Sequence, residues 1–82
     1  MTRTEIILWE VRKERDRQDT LWGVQNHSPE GWLPILGEEF GEVCRAIYEK
    51  DPDNYRGELL QVAAVAVAMV ESLDRNRKKE GF

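Results

Sequence analysis

Glu38-Glu39-Phe40-Gly41-Glu42 crowds three acids into five residues among apolar neighbours, and Glu58-Leu59-Leu60-Gln61 echoes the pattern further on. On a helix, Glu39 and Glu42 stand three apart on one face, as do Glu58 and Gln61. Two such helices packed antiparallel would bring four oxygen-bearing side chains to one spot. That donor set suits Mg²⁺, a hard cation that takes oxygen ligands and usually completes its octahedral shell with water and phosphate. Like charges four apart, as in Glu38 and Glu42, cost a helix roughly 0.2–0.5 kcal/mol. A bound cation would relieve that repulsion. The competing reading is an ordinary surface ion-pair network, worth little to stability or chemistry.

Two other stretches carry polar chemistry. Lys13, Arg15 and Arg17 lie in the charged run Arg12 to Asp19. They are either candidate contacts for substrate phosphates or a solvated helix face laced by pairs such as Glu14 with Arg17 and Arg15 with Asp19. Trp22-Gly23 and Gln25-Asn26-His27-Ser28-Pro29 have turn chemistry and no helical periodicity. Trp22 offers a face for stacking on a base, or an anchor for the loop. Gln25, Asn26 and His27 offer groups to read a base edge or a sugar, while His27 equally suits a plain loop hydrogen bond. Trp9 and Trp32 are assigned to packing.

Three helices must position these groups. Thr2-Arg3-Thr4-Glu5 has capping-box spacing, and no Gly or Pro follows before Gly23, so a first helix should run to about Thr20. Ile7, Leu8 and Val11 give it a side to bury. A connection over Leu21 to Gly31 precedes a second helix starting near Gly31 or Trp32, with Pro34 tolerated in its first turn. Leu33, Leu36, Phe40, Val43 and Ile47 recur at three- and four-residue spacing as its expected core face, with Cys44 as a small core residue. This helix should end near Lys50. Asp51-Pro52-Asp53 is a strong start for a third helix running to about Lys79, its basic end frayed. Between Leu59 and Val70 only Gln61 is polar. A helix apolar all round must be covered all round, and a buried Gln61 needs a partner. Two short helices cannot cover it, so a partner chain is expected along Leu59–Val70. Ala63, Ala64, Ala66 and Ala68 would allow close helix approach.

Size and charge agree with this plan. At 82 residues the chain is one domain, residues 1–82, and small enough that oligomerisation is expected to complete its core. The expected fold is therefore all-α: an antiparallel bundle of about three helices per chain, completed by a homodimer or homotetramer. Net charge −4 and a pI near 5.0 argue against nucleic-acid polymers as partners. One cysteine excludes an intrachain disulfide. The N-terminal stretch lacks a signal-peptide pattern, and the longest apolar run falls short of a bilayer span. A cytoplasmic protein with no membrane contact is the expectation.

Glu38-Glu39-x-x-Glu42 followed by Glu58-x-x-Gln61 resembles the EExxE…ExxD signature of the MazG-like all-α nucleoside triphosphate pyrophosphohydrolases. The resemblance extends through Val62-Ala63-Ala64-Val65-Ala66-Val67-Ala68 and back to Arg17-Gln18-Asp19-x-x-Trp22-Gly23-x-Gln25-Asn26-His27, covering most of residues 14 to 73. Short phage and bacterial single-module members are most similar. The resemblance implies hydrolysis of an NTP or dNTP between the α- and β-phosphates, with Mg²⁺ as cofactor and Mn²⁺ as a substitute. It implies Glu39, Glu42 and Glu58 as metal ligands, and Glu38 as an activator of water or a holder of a second ion. Where the family has Asp, this chain has Gln61, whose amide oxygen can coordinate without bringing charge. A site with fewer direct ligands, an acid recruited from a partner chain, and reduced activity all follow from that departure. The alternative from another class is a catalytically weak or inactive helical interaction or regulatory protein that keeps the bundle.

Overall fold

In the computed structural model, which describes residues 1–80, the chain forms three α-helices: α1 (Arg3–Trp22), α2 (Pro29–Tyr48) and α3 (Pro52–Glu80). No strand occurs among the described residues. The expected all-α class holds. The basic end expected to fray, Arg75 to Lys79, instead continues α3, and Arg75 and Asn76 bond to the loop before α2; the side chains of Lys78 and Lys79 lie outside the described residues.

Each helix end has a local cause. Thr2 caps α1 through a complete capping box: its hydroxyl accepts from the Glu5 amide at 3.1 Å, and the Glu5 carboxylate accepts from the Thr2 amide at 2.9 Å. The helix runs two residues past the expected end, to Trp22, and stops at Gly23. Gly23 sits at φ 73°, ψ 176°, a region open essentially to glycine alone. α2 starts earlier than expected. Ser28 accepts from the Gly31 amide at 3.2 Å and Pro29 fills the first helical position, a pairing of cap and proline that displaces the start from Gly31 to Pro29. Pro34 is thus inside the helix rather than in its first turn. It removes the amide that would bond the Glu30 carbonyl, at a position exposed to water.

The α2–α3 turn is a Schellman motif. The Lys50 amide donates to the Ile47 carbonyl and the Asp51 amide to the Ala46 carbonyl, both at 3.1 Å. Lys50 pays for it with a left-handed φ of 57°. Asp51 then caps α3, its carboxylate accepting from the Asn54 amide at 3.2 Å.

α3 is the spine. α1 and α2 each pack on it and not on one another. α2 returns antiparallel to α3, and Trp32 packs with Val65 and Ala68, flanked by Ile35, Leu36 and Met69. Val11, Val43, Ala46 and Ala64 complete the buried apolar set, so the core is narrow and rich in alanine.

This packing corrects four expectations about the interior. Leu33, Phe40 and Ile47 are 66%, 64% and 56% exposed, so the core face of α2 is Trp32, Ile35, Leu36, Val43 and Ala46 instead. The helix has apolar residues on two faces, and a single intrachain partner can cover only one. Cys44 lies on the uncovered side and is exposed. Trp9 is exposed while Trp32 is buried, so only one of the two packs as expected. On α1, Val11 is buried but Ile7 and Leu8 are exposed.

Candidate functional site

Glu39 continues the buried face of α2, one turn beyond Ile35 and Leu36 and one before Val43. The core periodicity therefore turns a carboxylate inward. Its Oε2 is buried and has no hydrogen-bond partner. Burial pushes the Glu39 pKa above its ordinary value, and the charges of Glu58, Glu38, Glu42 and Glu14 push it further. Four carboxylates from three helices thus act on one half-buried acid. Glu42 and Glu58 are themselves half-buried, as is Gln61, whereas Glu38 is exposed.

An uncompensated carboxylate in such company suits a hard cation, which would reverse the repulsion and satisfy the orphaned oxygen. The donor set is all oxygen, as Mg²⁺ requires. As the side chains stand, no three acidic, histidine or cysteine groups among the described residues close on a common point. Glu39, Glu42 and Glu58 are the residues that could hold the ion, with Gln61 supplying a neutral oxygen.

α1 adds to the cluster an acid that the periodicity left on a surface. Glu14 follows Val11 by one turn and precedes Gln18 by another, and both of those are buried. Its carboxylate takes a fork of two bonds from Arg17, at 2.9 and 2.7 Å, and one from the Gln18 amide at 3.4 Å. Arg15 donates to Gln18 Oε1 at 3.2 Å, to Asp19, and to Glu71 of α3 at 2.7 Å. Both expected pairs, Glu14–Arg17 and Arg15–Asp19, are therefore present. Arg15 has only 11% of its side chain exposed and is committed to joining α1 to α3. Lys13 is exposed on α1.

The loop before α2 is tied down by groups of α3. The Ser72 hydroxyl, fully buried, donates to the His27 carbonyl at 2.9 Å, with Asn26 Oδ1 also within reach at 3.2 Å. Arg75 donates to Asn26 Oδ1 at 3.2 Å and to the Gln25 carbonyl at 3.0 Å. The Asn26 amide donates to Asn76 at 2.9 Å. Asn26 thus spends both ends of its side chain on α3. The His27 ring stands edge-on to Trp32 with centroids 4.9 Å apart, and its Nε2 is buried without a partner. Trp22 is 60% exposed at the end of α1, and Gln25 is half-buried.

Comparison with family models, with curated proteins and with solved structures finds no match for this chain.

Ser72 and Glu71 escaped the sequence reading, and Gln18 entered it only as part of the resemblance, with no role assigned. Ser72 had a signal, since Val65, Ala68 and Ser72 share one face at three- and four-residue spacing. Gln18 and Glu71 had none, because their roles come from the way α1 lies across α3.

Proposed function

We propose that this chain is a Mg²⁺-dependent nucleoside triphosphate pyrophosphohydrolase, cleaving an NTP or dNTP to the monophosphate and pyrophosphate. The observation that carries the proposal is the buried, partnerless oxygen of Glu39 among the charges of Glu14, Glu38, Glu42 and Glu58. A cation bound there would offset the repulsion and satisfy the orphaned oxygen. The MazG-like spacing of Glu38, Glu39, Glu42, Glu58 and Gln61 supports the same reading.

In this proposal Glu39, Glu42 and Glu58 hold the ion, and Gln61 offers an uncharged oxygen. Mg²⁺ held there would supply positive charge to the triphosphate and to the attacking water. Glu38, exposed beside Glu39, accepts a proton from the attacking water. Lys13 and Arg17 lend positive charge to the triphosphate from α1, whereas Arg15 acts through the ion pairs that set α1 on α3. Trp22 presents a face on which a base can stack. Gln25 and His27 border that loop, and Asn26 shapes it through Ser72, Arg75 and Asn76.

The working unit in this proposal is a homodimer or homotetramer, in which a second copy covers apolar residues left exposed on α2 and α3. No helix of the described residues is long and apolar enough to cross a membrane.

Two observations favour a second reading, a weakly active or inactive interaction protein: no three acids among the described residues close on a common point, and Gln61 lowers the charge of the set. Incubating the purified chain with each NTP and dNTP plus Mg²⁺ or Mn²⁺ separates the two. Pyrophosphate release that disappears in Glu39→Gln supports the enzyme. No release from any nucleotide leaves the interaction protein.

A further inference from the structure

The apolar residues left exposed on α2 and α3 belong to one surface. On α2, Leu33, Phe40 and Ile47 repeat at seven residues and lie roughly 80–120° round the helix from Glu39. On α3, Tyr55, Leu59, Ala66 and Val70 fall within about 60° of one another, turned away from Val65 and Ala68, which hold Trp32. The two stripes meet at the α2–α3 turn, where Ile47 and Tyr55 line one shallow cavity of about 450 Å³. α1 is held on the other flank of α3, through Arg15 and Glu71. We propose that this α2–α3 face takes a second copy of the chain in an isologous contact, on the side away from α1. The inference rests on the second copy in the reading above, and not on its chemistry.

Area, charge and shape name the occupant. Leu33, Phe40, Ile47, Tyr55, Leu59 and Val70 are each between 36% and 66% exposed. At roughly 150–250 Å² for a whole large side chain, the six offer on the order of 600 Å², and Tyr48, Cys44 and the backbone between them bring the face near the ~800 Å² that each partner gives a standard interface. The chain carries a net charge of −4, so two copies repel unless charge is kept off the contact. Between Leu33 and Ile47 the charged residues Glu38, Glu39, Glu42 and Arg45 all lie off the stripe, and from Leu59 to Val70 α3 has none. Gly37 and Gly41 flank Phe40 with open space where other residues carry a side chain. The face therefore both projects and recedes, as a two-fold contact requires of a patch that must receive itself. The other exposed apolar group, Leu8 and Trp9 of α1, is interrupted by Glu5 and Arg12, which line the same groove.

A second copy seated on the α2–α3 face stands off the side of α2 that carries Glu39 and Glu42. It supplies no acid to that cluster, so Gln61 has no substitute from the partner chain.

Cys44, the single cysteine, sits on the α2 stripe between Phe40 and Ile47 and is exposed in one chain, so its labelling reports cover. Light scattering of the full-length chain at micromolar concentration, followed by labelling with a bulky maleimide and no nucleotide present, tests the inference. Wild type should have the mass of two or more chains. Its Cys44 should label at least about tenfold more slowly than in Val70→Asp, which breaks the contact from the other end of the face. Trp9→Asp, on α1, should keep the mass and the slow labelling of wild type. A wild-type oligomer whose Cys44 labels as fast as in Val70→Asp overturns the inference and leaves the second copy standing. So does an oligomer that Trp9→Asp dissociates and Val70→Asp does not. If Val70→Asp does not fold, Ala66→Glu, a change at an exposed small side chain, takes its place. A single-chain mass for wild type overturns the second copy and this inference together, and leaves the face to a different protein.

Discussion

Glu39 sits where the core periodicity of α2 demands an apolar side chain, and that conflict governs its behaviour with pH. Its folded pKa lies above the ordinary value of 4.5, first because of burial and then because of Glu58, Glu38, Glu42 and Glu14. As pH rises, the unfolded chain releases this proton first. Stability therefore falls from about pH 4.5 upward until the folded pKa is passed, and is flat beyond it. Glu39→Gln removes that fall. Without metal, the variant should melt above wild type near neutral pH and close to it in acid, as read by circular dichroism; an equal fall in both proteins would contradict the assignment. The same variant should lose at least about 100-fold in pyrophosphate release, the upper end of what an outer-shell partner alone costs. A residue that stabilises by its removal and inactivates by its removal is the signature of a site rather than of packing. The acids themselves were legible, because their spacing on two helices is a property of sequence. The Glu14–Arg17 pair was also legible, as i,i+3 neighbours. That Glu14 acts on Glu39 was not, since it depends on how α1 crosses α3.

At the scale of the elements, the caps were the readable part. Thr2–Glu5 and Asp51–Pro52 placed two helix starts correctly, because capping is local chemistry. The start of α2 was missed because Ser28 and Pro29 lie in a stretch that also reads as turn. Two backbone positions make opposite predictions. Gly23 occupies a region closed to other residues, so Gly23→Ala should cost about 1–3 kcal/mol and loosen the end of α1 beside Trp22. Lys50 occupies the position of a Schellman turn that glycine prefers, so Lys50→Gly should stabilise by about 0.5–1 kcal/mol. Urea melts measure both, and a destabilised Lys50→Gly would refute the assignment of that turn. Ser72 offers a third test at this scale. Ser72→Ala removes the near donor of the His27 carbonyl, leaving only the Asn76 amide at 3.5 Å, and should cost about 1–3 kcal/mol. Faster hydrogen exchange across residues 24–28 would show that the loss is felt at the loop. Unchanged exchange would mean that Arg75 and Asn76 hold it alone.

For the whole molecule, the buried set is too small for the apolar residues the chain carries. Ala46, Ala64 and Ala68 are in the core, while Leu33, Phe40 and Ile47 face outward at seven-residue spacing on α2. Leu59 and Val70 are exposed on α3, within the run expected to need cover from a second chain. Sequence periodicity could not tell the covered face of α2 from the uncovered one, because both are apolar and repeat at helical spacing. A seam of residues seven apart is how helices of separate chains meet. Fully burying one such side chain contributes about 1.5–3 kcal/mol, so a few of them against a second copy would rival the stability of a small domain. The prediction for Phe40 follows from its 64% exposure. In a monomer, Phe40→Asp would be a surface change worth within about 0.5 kcal/mol. In an oligomer sealed on α2, it places a charge in the seam. The wild-type chain should then scatter light as a multiple of 9.6 kDa at micromolar concentration, and Phe40→Asp should shift toward the single-chain mass and melt earlier. Val70→Asp tests the α3 stripe in the same way, and the variant that dissociates identifies the face that is covered. A wild-type mass of one chain would remove the second copy from the proposal, and the exposed stripe of α2 would then need a different partner.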